Sequence, residues 1–167
     1  MMWPSIALLS FVTLQRLSEL ALARRNTRHL LALGAREYSP GHYPLIVAVH
    51  AGWLATLWWL AIGRPIHVPL LILFLLLQGA RIWVLRTLGS RWTTRIIVLP
   101  GAPLVTVGPY RFVSHPNYLI VIGEIAALPL VFGLWHVAAV FSLLNALVLA
   151  IRIQAENAAL AGHAAKG

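Results

Sequence analysis

An all-α, polytopic membrane protein is the fold class this sequence predicts, and three observations predict it. The 167 residues are 60% hydrophobic and only 10% charged, with a mean hydropathy of +0.82. Soluble domains carry roughly a quarter charged residues, so composition alone places the chain in a bilayer. The apolar residues also gather in five runs, each near the ~20 residues that a helix needs to cross the hydrocarbon core. Finally, the basic residues concentrate in alternate connections between those runs, as membrane topology requires. Backbone groups in hydrocarbon find no water, so runs of this length have to satisfy them internally as helices.

The first run, 3–23, opens without a basic segment and carries Gln15, Arg16 and Glu19 in its second half, with Arg24, Arg25 and Arg28 directly after it. A cleaved leader has the opposite polarity, so a retained span with a basic stop is expected. The second run is 43–62 and the third 66–88, the latter interrupted by Gln78 and Arg81. The fourth and fifth, 118–132 and 135–151, are separated only around Gly133, which predicts an antiparallel helical hairpin. The fourth is short for a full crossing, so a tilted or partly re-entrant path is expected.

Arg24, Arg25, Arg28 and Arg36 lie between the first two runs, and Arg86, Arg91, Arg95 and Arg111 between the third and fourth. The remaining connections hold only Arg64. The positive-inside rule then puts the amino terminus outside, with both Arg-rich loops and the carboxyl tail in the cytoplasm. The loop 89–117 is long, and its Pro100, Gly101, Pro103, Gly108, Pro109 and Pro116 exclude a single helix. Segments 96–99 and 104–107 flank the Pro-Gly pair, so a small hairpin or an apolar flap on the bilayer is expected. Long structured loops in small chains are usually functional. No internal repeat or second domain is visible.

Several chemistries are excluded. There is no cysteine and no aspartate, so disulfides and thiolate metal sites are ruled out. The seven histidines include no i, i+4 pair, so no metal is expected. Thirteen Arg and Lys against four acidic residues give +9. In a membrane chain that charge reads as topology and attraction to anionic headgroups of membrane lipid, with no nucleic-acid partner.

Polar groups inside spans cost free energy, about 2.5–3.5 kcal/mol for a charge at the helix centre, so each needs an account. Arg16 and Glu19 are three apart and can pair on one face, either as an interfacial pair at the helix end or as a substrate gate. Gln78 and Arg81 share a face of the third helix, where they either line a polar cavity or mark the helix end. At the fourth helix, Pro116 suits the first turn, with His115 just before it and Asn117 and Tyr118 inside it. Free N–H groups there favour an anionic ligand group. In the last helix Arg152 and Glu156 are spaced i, i+4, as in a simple ion pair.

The order Gly108-Pro109-Tyr110-Arg111, then His115-Pro116-Asn117-Tyr118, then a hairpin ending Arg152 to Glu156 resembles the isoprenylcysteine carboxyl methyltransferase family. The resemblance covers roughly 78–160, a catalytic core preceded by amino-terminal helices over 1–77 within one membrane domain. The amino-terminal half, with Gln15 to Leu20 and Arg24-Arg25-Asn26, looks like a bacterial subgroup, which implies a bacterial inner membrane.

The resemblance implies an integral membrane enzyme using S-adenosylmethionine, with its active site on the cytoplasmic side. Gln78, Tyr110, His115, Pro116, Asn117, Tyr118 and Glu156 would hold the cofactor. Arg16, Glu19, Arg81, Trp92 and Arg152 would face the substrate, with Arg152, Glu156 and His115 as the catalytic set. Ser114 stands where the family pattern has Arg, and Asn157 where it has a second Glu. Methyl transfer from a sulfonium is an in-line displacement, in which positioning and desolvation supply most of the rate. The acceptor is a lipophilic small molecule: a carboxylate, an enol or a phenol. A phenol-like acceptor needs a base, for which His115 and Glu156 are the options. Two other readings stay open. Membrane sterol reductases share a Pro-Asn-Tyr segment followed by acid, here Glu124, and would take NADPH at Arg91 or Arg95. The alternative outside enzymology is a lipid-binding scaffold.

Overall fold

The computed structural model describes residues 2–38, 41 and 43–164, with side chains up to 159. Its helices are α1 (Trp3–Ala32), α2 (Tyr43–Leu60), α3 (Val68–Leu88), α4 (Pro116–Val131) and α5 (Trp135–Ala164). Two short strands, β1 (Arg36–Tyr38) and β2 (Ile96–Val98), join the α1–α2 and α3–α4 loops. Four of the helices are long and apolar enough to cross a membrane. The chain is thus an all-α integral membrane protein.

α4 is the exception and the centre. Its 16 residues extend about 24 Å at 1.5 Å per residue, short of the ~30 Å hydrocarbon core. Ten of its residues are buried, Glu124 among them. It packs between α3 and α5, so protein rather than lipid surrounds it. The apolar core lies here, where Leu9 and Val12 of α1, Trp53 and Leu57 of α2 and Phe74 of α3 meet Ile125, Leu128 and Val131 of α4. The Trp53 indole N–H donates to the Ile125 carbonyl at 3.2 Å, tying α2 to the same helix.

Prolines and one glycine set the ends. Pro116 opens α4, where a missing N–H costs no intrahelical bond. Pro129 sits in its last turn. Gly133, at φ 68°, then reverses the chain, and the N–H groups of Phe132, Gly133 and Leu134 cap the final carbonyls. This is the expected hairpin, closed by a left-handed C-terminal residue. The His67 N–H donates to the Val131 carbonyl at 2.8 Å, which pins the start of α3 to the same corner.

The structure corrects the sequence expectation in three places. α1 continues to Ala32 and α5 to Ala164, well past the apolar runs. Both extensions carry polar side chains that find partners in the loops: the Asn26 amide donates to the carbonyls of Gly89 (3.1 Å) and Trp92 (2.8 Å). The third correction concerns 96–99, which forms no hairpin with 104–107. Ile96–Val98 pairs antiparallel with β1, in register Arg36↔Val98, Glu37↔Ile97 and Tyr38↔Ile96. Arg95 and Glu37 lock that pairing with an ion pair at 2.8 Å, while Arg91 donates to the Pro103 carbonyl at 2.6 Å. The two Arg-rich loops therefore share one end of the bundle.

Gly133→Ala is expected to cost about 1–2 kcal/mol, because a Cβ is disfavoured at positive φ. The added carbon would also lie 3.4 Å from the His67 ring. A lowered thermal midpoint in detergent, with unchanged helix content by circular dichroism, is the measurement that checks it.

Candidate active site

Charges have gathered where the bundle is most apolar. Glu124 of α4 is fully buried, so its carboxylate has to be matched by partners on neighbouring helices. Arg81 of α3 grips it with two nitrogens, Nε at 2.8 Å and Nη2. Arg16 of α1 reaches it at 2.7 Å, and the Gln78 amide donates to it at 2.8 Å. Glu19 completes the set, 3.1 Å from Arg16 and 3.2 Å from Arg81. The Gln15 amide donates to Gln78 (2.6 Å) and Glu19 (3.0 Å). Two guanidiniums and two carboxylates leave the cluster neutral. The Arg16–Glu19 pair forms as its spacing predicts, but it faces inward and binds three helices together instead of reaching for the interface.

Beside this cluster lie two cavities. The larger, about 610 Å³, is lined by Tyr110, Ser114, His115, Asn117, Tyr118, Arg152, Glu156 and Asn157, with β2 and the loop residues 102–106 around them. The smaller, about 280 Å³, is lined by Arg16, Glu19 and Arg81 from the cluster, Tyr43, Ile46, Val47 and His50 from α2, and Trp92, Thr94 and Arg152. Trp92, Thr93, Asn117, Tyr118 and Arg152 belong to both linings and so form a shared wall.

Tyr118 is the centre of that wall. Its hydroxyl donates to the Glu156 carboxylate and accepts from Arg152 Nε at 2.8 Å. The His115 ring stacks on the Tyr118 ring, with centroids 5.1 Å apart and an angle of 14°. Arg152 also donates to the Thr94 carbonyl at 2.7 Å, anchoring α5 to the loop. The i, i+4 spacing of Arg152 and Glu156 thus yields no direct ion pair among the described residues. The Tyr118 hydroxyl stands between them. Burial, and to a lesser degree the Glu156 charge, pushes the Tyr110 phenol up to about 12, so it remains a hydroxyl at physiological pH.

The side chains expected from the sequence sort by cavity. Tyr110, His115, Asn117, Tyr118 and Glu156 line the larger one. Gln78 and Pro116 do not: Gln78 is bonded into the buried cluster, and Pro116 lies buried at the helix start. Arg16, Glu19, Arg81, Trp92 and Arg152 all line the smaller one. Ser114 and Asn157, where the family pattern has Arg and Glu, both border the larger cavity. Sequence reasoning missed His50 and Tyr43. His50 carried a usable signal, since a titratable residue within an apolar span marks a functional position by default. Trp92 Nε1, Asn117 Oδ1 and Arg16 Nε are buried with no hydrogen-bond partner among the described residues.

The class of this multi-helix membrane protein comes from the comparisons with known proteins. Residues 70–162 match the Isoprenylcysteine carboxyl methyltransferase (ICMT) family, and the chain belongs to that family of membrane methyltransferases. It is 37% identical to the uncharacterised protein YpbQ of Bacillus subtilis, over 99% of this chain and 100% of that protein. An uncharacterised protein of Haemophilus influenzae is 26% identical over 87% of this chain and 88% of its own length. No solved structure shows a significant match.

Removing the charge from Glu124 leaves two guanidiniums facing one carboxylate. Glu124→Gln is expected to cost about 3–5 kcal/mol, the usual penalty for breaking a buried pair from one side. The paired variant Arg81→Met, Glu124→Leu, which removes one charge of each sign, should lose less than the sum of its single variants. Thermal unfolding in detergent measures both.

Proposed function

We propose that this protein is an S-adenosylmethionine-dependent O-methyltransferase that modifies a lipophilic small molecule at the inner membrane. The observation that carries the reading is the pair of adjoining cavities that share Trp92, Thr93, Asn117, Tyr118 and Arg152 in their linings. A methyl group has to pass in line between two bound molecules, and adjoining sites supply that geometry.

The larger cavity fits the donor by chemistry. Its volume suits a nucleoside carrying an amino acid. The Glu156 carboxylate is suited to ribose hydroxyls or an ammonium group. Asn117 Oδ1 is a buried acceptor that lacks a partner among the described residues, as expected of an atom that bonds a ligand N–H. Tyr110 and the stacked His115–Tyr118 pair present aromatic surface to an adenine or a sulfonium. When bound, S-adenosylmethionine supplies an electrophilic methyl group on that sulfonium. The chain's part is to hold both molecules and exclude water. The Arg152–Tyr118–Glu156 chain of hydrogen bonds fixes the wall between them.

The smaller cavity suits a lipophilic acceptor. Its rim includes Leu17 of α1 and Val47 of α2, which are also exposed on the outside of the bundle. Their exposure supports lateral entry of the acceptor from the bilayer between these helices. The arginine-rich end of the bundle supports a cytoplasmic position for the larger cavity, by the positive-inside rule.

Calorimetric titration in detergent is expected to show binding of S-adenosylhomocysteine and none of NADPH; the reverse result would move the protein to the reductases. Glu156→Gln should weaken S-adenosylhomocysteine binding about 10- to 100-fold, the worth of one hydrogen bond to a charged group. Incorporation of labelled methyl into a lipid extract should fall in parallel in Glu156→Gln and in His115→Ala. Equal incorporation by the wild type and both variants would remove the site assignment.

A further inference from the structure

Among the described residues, His50 carries the one imidazole on the wall of the smaller cavity, and its hydrogen bonding orients it. Nδ1 lies 2.9 Å from the Ile46 carbonyl oxygen one turn earlier in α2. A carbonyl only accepts, so Nδ1 carries the proton, and in the neutral ring Nε2 is left as a lone-pair acceptor. No hydrogen bond to Nε2 is made among the described residues. The two bases expected from the sequence, His115 and Glu156, line the larger cavity alone. They stand on the donor side of the shared wall.

Charge selects the acceptor. Arg16 and Arg81 on the cavity wall are matched by Glu19 and Glu124. Arg152 is held by the Tyr118 hydroxyl and, through it, by Glu156. Three guanidiniums against three carboxylates leave no spare positive charge to welcome a carboxylate anion out of water. A neutral acceptor enters without that cost, but its oxygen must then lose a proton as it takes the methyl. Arg16 Nε and Trp92 Nε1, both buried N–H groups without partners among the described residues, are donors available to an oxygen that is becoming an anion.

The geometry points to the smaller cavity as the binding site for a neutral acceptor with a weakly acidic hydroxyl, a phenol or enol on an apolar skeleton, with His50 Nε2 as the base that takes its proton. The inference rests on the donor site proposed above. In the step, the acceptor O–H bond breaks and its proton passes to Nε2. The acceptor oxygen forms a bond to the methyl carbon as the sulfonium–methyl bond breaks, and that electron pair stays on sulfur in S-adenosylhomocysteine. The imidazolium returns its proton to water when product leaves. An aliphatic alcohol is too weak an acid for this base.

The test pairs para-octylphenol with its ortho-nitro derivative, a much stronger acid that also enters as the neutral phenol and leans far less on a base. His50→Gln is expected to slow methylation of para-octylphenol by about 100-fold or more, the usual worth of a general base, while the nitro compound is turned over within a few-fold of wild type. Independently of turnover, para-octylphenol should shield His50 from diethyl pyrocarbonate in protein without cofactor. Equal losses on both phenols, no loss on either, or no shielding would each overturn the role of His50. A wild-type enzyme that prefers para-octylbenzoate, or methylates neither phenol while binding S-adenosylhomocysteine, would overturn the acceptor class and leave the donor site standing. Absence of S-adenosylhomocysteine binding to the wild type would instead remove the donor site itself.

Discussion

The burial of Glu124 is the constraint on which the rest of this structure depends. A carboxylate in the middle of a bundle with lipid outside is tolerable only if cations and hydrogen-bond donors reach it from other helices. Arg81 and Gln78 come from α3, and Arg16 comes from α1 with Glu19 to keep the sum neutral. Satisfying one acid thus fixes the relative depth and rotation of α1, α3 and α4. The apolar contacts around Trp53, Phe74 and Ile125 fill space and supply most of the burial, yet helices with lipid as solvent gain little from hydrophobic matching alone. Polar matching supplies the register.

That register also makes the site. The cluster forms one wall of the smaller cavity, and α4 continues from it to Tyr118 and Asn117 on the wall of both cavities. The loop before α4 delivers Tyr110, Ser114 and His115 to the larger cavity. The polar extension of α5 meets that loop from the other side with Arg152 and Glu156. The β1–β2 pairing and the Asn26 bonds hold the loop in place, so irregular backbone is supported where it lines a cavity.

Much of this was legible in the residues. Five helices, the Gly133 hairpin, the shortness of the fourth run and the helix start at Pro116 follow from apolar run length and proline placement. The grouping of Tyr110, His115, Tyr118 and Glu156 followed from the family pattern. Gln78 was misplaced because helix periodicity shows which residues share a face but not what that face meets. Of the two expectations for 96–99, a hairpin or an apolar flap, the hairpin named the wrong partner for a related reason. Local turn signals favour the nearest segment, whereas the actual partner, Arg36–Tyr38, lies far away in sequence.

By itself the sequence determined the solvent in which this chain folds, the number of its helices and which side chains are too costly to leave unmatched there. Those are consequences of transfer free energies, which each residue carries with it wherever it sits. The tertiary structure alone decided which charges cancel, that Tyr118 stands between Arg152 and Glu156, and that His50 rather than His115 faces the second cavity. Those outcomes depend on distances between helices, and Coulomb attraction and hydrogen bonds act only over the few ångströms that packing sets.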